Sequence, residues 1–471
     1  MEEEEKEGTG RRRAAKTDWG KYGRKPVVLL ALVALIDSVD RGILPGVLDA
    51  VQKDLGFNDF EAGLLGTVFV IAGFVVVLPA GYLADRHPRT RLIAIVLASW
   101  GVISALNAAV VGYWQFLAVR ATLGAGETVN GPAAQSLIAD YYRPTLRGRA
   151  YAFQRVAPIA GTAIGTGIGG VVGALFGWRW AFLVVGVPGS LLAFAVWRMP
   201  EPRRGEHDEL VEPDLGVLAT SLPEREELVA EAEQVEVRST GVKALLHDAR
   251  LVFGIPTLRY LMIGNAIAGG ALAGIGFWAP AFFTRHTDLT AGQASGVVAV
   301  LLLSGALLGT WFGGVATDRL RGRSEGAPLV LAGLTQLIGA CALMMVWLPT
   351  PLWVKLLFSV IGAVLLVAGF PALAAMTAEV VPAAIRGITF SVTGFATAIL
   401  AAASPLVIGA IADQFTFVVN GKNRGNLATA FLIVTPLVMI GALVLLRGRG
   451  HVGDDRRRAA DLAVTLAAER Q

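Results

Sequence analysis

Cysteine is almost missing from this chain of 471 residues. The single one, Cys341, lies inside an apolar run, which excludes a disulfide framework, a cysteine zinc site and cysteine chemistry. Charge is scarce as well: 17% of residues are Asp, Glu, Lys or Arg while 54% are hydrophobic, against roughly a quarter charged in an ordinary soluble domain. That balance suits lipid as solvent. Histidines are few and scattered (His87, His207, His247, His286, His451), with no metal-like cluster, so no metal or other cofactor is expected. Gly165-Thr-Gly167-Ile-Gly169-Gly170 has the glycine spacing of a dinucleotide fingerprint, but no strand precedes it, and small residues in an apolar run serve close helix crossing. Gly322-Arg-Ser324-Glu-Gly326 matches a hydrolase elbow without the strand-turn-helix context. No nucleophile with its base appears, which argues against an enzyme. The sequence pI is about 9.3, yet the basic residues are spread over short loops, which argues against nucleic acid as a partner.

What is present is a series of long apolar runs. A bilayer core of about 30 Å needs roughly 20 apolar residues per helix. Twelve runs meet that test: 26 to 48, 62 to 84, 91 to 111, 114 to 140, 149 to 175, 179 to 198, 257 to 284, 291 to 316, 327 to 348, 352 to 378, 387 to 412 and 426 to 446. Backbone groups in lipid must bond within their own segment, and the runs lack the alternation of a barrel, so the expectation is an all-α membrane protein. The first run is longer than a signal-peptide core and lacks a small-residue cleavage site, and reads as a span. The polar stretch 199–256, rich in glutamate, divides the chain into a six-span bundle at 26–198 and another at 257–446, with tails at 1–25 and 447–471. Within the stretch, Lys243 to Phe253 has the pattern of a short interfacial helix. Arg86, Arg89, Arg91, Arg143, Arg147, Arg149, Arg319, Arg321, Arg323 and Arg386 fall on the side of the tails, against Lys53, Arg179, Arg285, Lys422 and Arg424 on the other. By the positive-inside rule both termini are cytoplasmic.

A loop recurs at matched places in the two halves. After the second span the chain reads Gly81-Tyr-Leu-Ala-Asp85-Arg86-His-Pro-Arg89, and after the eighth Gly314-Val-Ala-Thr-Asp318-Arg319. An aspartate at the carboxyl end of its own helix opposes the dipole and seeks another partner. The start of span 11 near Gly387 would provide one, making Gly81, Asp85, Arg86, Arg89, Asp318 and Arg319 a candidate latch on the cytoplasmic side. In this loop, and in Gly177-Trp-Arg-Trp-Ala-Phe182 opening span 6, the sequence resembles the major facilitator superfamily. The resemblance implies two pseudo-symmetric six-helix bundles rocking about a central cavity. With no Walker sequence, the energy would come from a gradient.

Six ionisable residues lie well inside spans of the first half: Asp37, Asp40, Arg41, Arg120, Glu127 and Arg155. Each costs about 3 kcal/mol or more at the bilayer centre if unpaired, so they are expected to face the bundle interior and one another. At about 1.5 Å per residue, Asp40 on the rising first span and Arg120 on the returning fourth reach the same depth, which predicts an Asp40 to Arg120 pair with Glu127 deeper on the same wall. Protonation of Asp40 or Glu127 would free a partner arginine, a way to couple a proton to a change of conformation. Arg41, Arg120, Arg155 and Asp37 are then candidates for holding a charged head group. The opposite wall is apolar apart from Asn265 and Thr377, with Phe277, Trp278 and Phe370 beside them; together with Asn130 these form the expected cavity lining. The plainer reading of the charges is that they lock helices together, and of the aromatics that they pack.

Asp40-Arg41, Leu64-Leu-Gly-Thr-Val-Phe69, Arg120-x-x-x-Gly124-x-Gly126-Glu127 with Ile138-Ala-Asp140, and Phe277-Trp278-Ala-Pro280 are similar to the spinster branch. That resemblance implies a proton-coupled transporter, an antiporter, of lipid-like or amphipathic solutes, with coupling at Asp40 and Glu127. Its partners would be such a solute, protons and the bilayer of the cytoplasmic membrane, for a protein working as a monomer. A multidrug or organic-anion carrier of the same superfamily, and a membrane receptor or scaffold that does not transport, stay open. The chain departs from the branch at Asp37-Ser38, at Thr128-Val-Asn130-Gly-Pro132 and at Arg155, all on the expected cavity wall.

Overall fold

The computed structural model describes residues 19–204, 206, 253–320, 323–381, 386–419 and 422–458. The expected interfacial helix from Lys243 to Phe253 lies almost wholly outside them. The first half comprises α1 (Lys25–Leu55), α2 (Asp59–Arg86), α3 (Arg89–Leu106), α4 (Tyr113–Glu127), α5 (Asn130–Tyr141), α6 (Pro144–Phe176) and α7 (Trp178–Trp197). The second comprises α8 (Pro256–His286), α9 (Ala291–Ser304), α10 (Thr310–Leu320), α11 (Ala327–Trp347), α12 (Leu352–Glu379), α13 (Arg386–Gln414) and α14 (Leu427–Gly448).

Local chemistry sets several of these boundaries. Asn58 accepts from the Glu61 N–H while Glu61 accepts from the Asn58 N–H, a capping box that starts α2. Gly56, at φ 73°, closes α1 in the left-handed conformation. Pro26, Pro144 and Pro256 stand in the first turn of α1, α6 and α8, where a missing N–H costs nothing.

The structure departs from the sequence expectation in four places. The run 114 to 140 is two helices, α4 and α5, separated at Thr128 and Val129. Pro132 cannot donate to the Thr128 carbonyl, and the neighbouring glycines add freedom, so the ladder breaks there. The eighth run is interrupted by a π-helical turn at Gly305–Gly309, where glycines let it approach the α12 backbone at Ala363 and Val364. The fold is not wholly α: Thr416–Val419 and Lys422–Gly425 pair as an antiparallel hairpin between α13 and α14. The segment after 447 is no simple tail, because helical structure continues to Arg458, and the buried Asp455 accepts from the Thr257 N–H at 2.7 Å, capping α8.

Among the described residues, ten helical segments are long and apolar enough to cross a membrane. Two expected spans are not among them: α1, and the pair α4 and α5. These carry the buried charges and the helix break. Large apolar side chains such as Val75, Val102, Leu175, Leu191 and Ile338 stand exposed on the outer surface, as lipid-facing positions require.

Helix packing in the first half rests on small residues. Gly161, Gly165, Gly169 and Gly173 of α6 lie against Leu35, Val39, Ile43 and Val47 of α1, one glycine per turn, and a Cβ at any of the four would strike α1. The glycine run that mimics a nucleotide fingerprint is this helix crossing. The halves meet along α2 with α13 and α6 with α9: Gly63 abuts Pro405, Thr67 donates to the Ala402 carbonyl at 2.6 Å, and Gly170 abuts Ser295. Those contacts gather toward the end of the molecule that holds the α1–α2 turn, here termed the gate end. The opposite end holds the start of α1, the segment after α7 and the end of α14.

Candidate functional site

Two clusters of buried charge stand out, one at mid-depth in the first half and one at the gate end. In the first, Asp40 is fully buried on α1; its Oδ2 lies 3.2 Å from Arg120 Nη1 on α4, and Ser104 Oγ of α3 donates to its Oδ1 at 2.5 Å. Two helical turns further along α4, Glu127 accepts from Arg41 Nε at 2.7 Å and from Trp100 Nε1 at 3.0 Å. Asp37, one turn before Arg41, accepts from Asn130 Nδ2 at 3.0 Å. The two arginines also flank the Phe69 ring, with guanidinium carbons 5.3 Å (Arg41) and 4.9 Å (Arg120) from its centroid.

The pair expected from depth, Asp40 with Arg120, is therefore present, and Glu127 lies on the same wall with Arg41 as its partner. Arg120 and the three acids are buried, whereas 49% of the Arg41 side chain is accessible. Arg41 thus presents charge to open space at a depth where every other ionised group of the cluster is covered. Ser104 and Trp100 are members that the sequence did not single out; a hydroxyl and an indole on an apolar span give no charge signal, and only helix adjacency reveals them. The side chain of Arg155 lies outside the described residues. The register of α6 on α1 sets its backbone level with Leu29, about 12 Å along the axis from Asp37.

The second cluster is centred on Arg285, at the end of α8. Its guanidinium reaches Asp49 Oδ1 at 2.7 and 2.9 Å, Asp59 Oδ1 and Oδ2 at 2.9 and 2.7 Å, and Gln52 Oε1 at 2.8 Å. Asp49 and Asp59 belong to the first half and Arg285 to the second, so these bonds cross between halves. Asp413, at the end of α13, accepts from the Phe60 N–H at 2.8 Å and the Asp59 N–H at 3.3 Å, and so caps α2 from the other half. His286 stacks between Phe282 and the hairpin's Phe417, at centroid distances of 5.0 and 4.5 Å. Beneath the cluster is a cavity of about 110 Å³ lined by Pro45, Asp49, Gly173 and Thr284, well below the roughly 300 Å³ of a small-ligand pocket. The gate end is closed.

At the opposite end Arg89 is buried and pairs with Asp140 and with Glu201 Oε1, the latter at 2.9 Å, and it receives support from Ser136. Glu201 also accepts from the Thr90 N–H at 2.9 Å and Thr90 Oγ1 at 2.8 Å. Lys21 Nζ and Tyr22 Oη donate to Glu206 at 2.8 and 2.6 Å. The start of the linker is strapped to the first half by these bonds. Of the expected latch residues, Arg89 binds Asp140 of the first half and Glu201 at the start of the linker. Asp318 and Arg319 are exposed, Arg86 lies exposed at the end of α2, and the side chains of Asp85 and of 386 to 388 lie outside the described residues.

Two residues of the expected cavity lining, Trp278 and Thr377, are buried in helix contacts. Trp278 is fully buried and donates to the Pro405 carbonyl at 2.9 Å, and Thr377 is buried with its hydroxyl bonded to the Leu373 carbonyl, so both pack helices. Phe277 is half-buried and lies on Gly66 across the halves. Asn265 donates to Thr397 Oγ1 at 2.9 Å, and Phe370 is exposed. Among the described residues no three His, Cys, Asp or Glu side chains are placed to hold a metal ion.

Apolar spans in two halves, a closed charged gate at one end and paired charges at mid-depth define a polytopic carrier that exposes its centre to one side at a time. Residues 30–405 match the family model described as Major Facilitator Superfamily. The chain belongs to that superfamily, as a spinster-like transporter and not an enzyme. It is 26% identical to protein spinster homolog 3 of Danio rerio over 92% of this chain and 86% of that protein. It is 27% identical to protein spinster of Drosophila melanogaster over 67% of this chain, and spans about half (49%) of that longer protein. Among solved structures, a bacterial homologue of the human lysosomal transporter spinster, in an inward-facing and unoccupied conformation, superposes with a TM-score of 0.74 at 20% identity, covering 94% of this chain and 98% of that one.

Proposed function

We propose that this transporter couples proton movement to the antiport of lipid-like or amphipathic solutes across the cytoplasmic membrane. It would have twelve spans, α1 and the broken α4–α5 pair completing the ten, and both termini in the cytoplasm. The observation that carries the reading is the double pair at mid-depth: Asp40 with Arg120 and Glu127 with Arg41, of which only Arg41 meets open space. A proton on Glu127 releases Arg41 to bind an anionic head group, and a proton on Asp40 releases Arg120. An anionic head group and the carboxylates thereby compete for the same arginines, which links proton binding to solute binding; antiport is the direction that the likeness to spinster proteins implies. The apolar second half accommodates the body of the solute. The gate-end bonds of Arg285 and Asp413 would break when the other face opens, and the Asp85 loop would close the cytoplasmic face in their place.

A small organic anion is the second reading. The accessible guanidinium of Arg41 favours it, as does 24% identity, over 90% of this chain, to a probable galactarate/D-glucarate transporter of Bacillus subtilis. The test is a proton-flux screen in proteoliposomes across lysolipids, sphingoid phosphates, sugar acids and cationic drugs, repeated with Asp40→Asn and Glu127→Gln. Proton flux evoked by amphiphiles and abolished in both variants supports the proposal. Flux evoked by sugar acids alone selects the second reading, and flux unchanged in the variants overturns the coupling role.

A further inference from the structure

The three acids of the mid-depth cluster are not equally supplied with donors. Asp40 has one donor on each oxygen, Ser104 Oγ and Arg120 Nη1. Glu127 likewise has Trp100 Nε1 on one oxygen and Arg41 Nε on the other. Both are housed as anions, each with an arginine and a neutral donor. Asp37 has neither arrangement. Asn130 Nδ2 serves its Oδ2, whereas Oδ1 is closed off from solvent and meets no donor among the described residues; Asn130 Oδ1 beside it is in the same position. Two buried acceptor oxygens on bonded neighbours, with nothing to accept from, lack a positive charge or a hydrogen.

The groups around Asp37 narrow the choice. Arg41 and Asp40 flank it on α1, Arg120 and Glu127 face the cluster from α4, and Asn130 faces it from α5. On α6 the Arg155 backbone is level with Leu29, well toward the tail end. Among these described side chains three acids meet two arginines, each arginine already bonded to its own acid. A neutral carboxyl pairs with a side-chain amide in either orientation of the amide, which an ionised one cannot do with its second oxygen left bare.

We infer that Asp37 is the carboxyl that carries the proton in this gate-closed conformation, with Asn130 as the residue that positions it. The inference rests on the proton-coupled reading above and deepens it by naming the site that holds the proton while Asp40 and Glu127 are paired. Arg41 is one turn from Asp37 on the same face of α1. Passage of the proton from Asp37 to Glu127 leaves Asp37 anionic and Glu127 neutral, and Arg41 then exchanges Glu127 for Asp37 with no change in the net charge of the cluster. Both residues lie where the chain departs from the spinster pattern, so this acid adds a proton site beside Asp40 and Glu127.

The experiment is pH-difference infrared spectroscopy of the full chain in lipid vesicles, reading the carbonyl stretch of protonated carboxylic acids near neutral pH. The expected result is one such band in the unmodified protein, lost in Asp37→Asn, retained in Asp40→Asn, and shifted in Asn130→Leu. Thermal unfolding gives a second reading: Asp37→Asn mimics the neutral acid and leaves the midpoint unchanged, while Asp40→Asn, stranding Arg120, lowers it. A band that survives Asp37→Asn, or no band in the unmodified protein, overturns the inference. Loss of the band when sodium chloride replaces choline chloride also overturns it, by making a metal cation the occupant. Proton-driven flux that is missing from the unmodified protein, with the band behaving as expected, would sink the transport reading and leave the assignment of the proton standing.

Discussion

Arg120 and Arg285 are both buried arginines facing aspartates, yet their partners lie in different places. Arg120 joins α4 to α1 within one half, so its bond to Asp40 can persist while the halves rock. Arg285 joins α8 to α1 and α2 across the halves, so its bonds must break each time the gate opens. The same chemistry thus serves cohesion in one cluster and conformational choice in the other, and the difference follows from which side of the half-to-half boundary the carboxylate occupies.

The sharpest way to break this comparison is to remove each arginine in turn. Arg120→Ala strands the fully buried Asp40, and an uncompensated buried charge costs about 3–5 kcal/mol; the expected result is a large fall in thermal midpoint measured in detergent. Packing should come next in size. Gly165→Leu drives a side chain into the α1 backbone at Val39, and overpacking of this kind costs about 1–3 kcal/mol, read by the same melt.

Arg285→Ala should do less to stability and more to conformation, because its carboxylates sit at the end of the molecule and regain water when the halves part. With Cys341 replaced and a cysteine placed at Gly292, beside Gly170 at the gate end, labelling by a membrane-impermeant maleimide is expected to rise about tenfold, equivalent to about 1.4 kcal/mol. Equal labelling with and without Arg285 would erase the distinction drawn between the clusters.

The smallest effect belongs to the linker strap, which lies outside the spans. The Lys21 ammonium, with the Tyr22 hydroxyl, holds the Glu206 carboxyl down to about 2. Burial pushes the Glu201 carboxyl up, but the Thr90 N–H, the Arg89 guanidinium and the Thr90 hydroxyl outweigh it and keep Glu201 below its ordinary value. Groups whose folded value is depressed stabilise fully above the ordinary glutamate range and lose that contribution as the pH falls through the folded value. Pepsin cleavage near Arg203 is therefore expected to quicken a few-fold more, between pH about 4 and about 2, than cleavage elsewhere in the chain, and the excess should vanish in Glu206→Gln.

The mid-depth cluster was largely legible because charge inside an apolar run is conspicuous and helix rise fixes its depth. Asp40, Arg41, Arg120 and Glu127 announce themselves in that way, and the level of Arg120 selects Asp40 as its partner. Trp100 and Ser104 carry no such mark. The gate was not legible: Asp49, Asp59, Arg285 and Asp413 sit at span ends, where charge is ordinary, and pairing across 226 positions between Asp59 and Arg285 is invisible along the chain. Trp278 and Thr377 misled for the opposite reason, since an aromatic or a hydroxyl in a span fits a cavity wall and a helix contact equally well until neighbours are known.

By itself the sequence determined that this chain lives in lipid and at what depth its charges must cancel, because desolvation acts on each residue whatever its neighbours are. Only the tertiary structure decided which acids Arg41 and Arg285 meet, which oxygen of Asp37 is left bare and which end is shut. Those outcomes depend on the distances and angles between helices far apart in the chain, and hydrogen bonds are decided over tenths of an ångström.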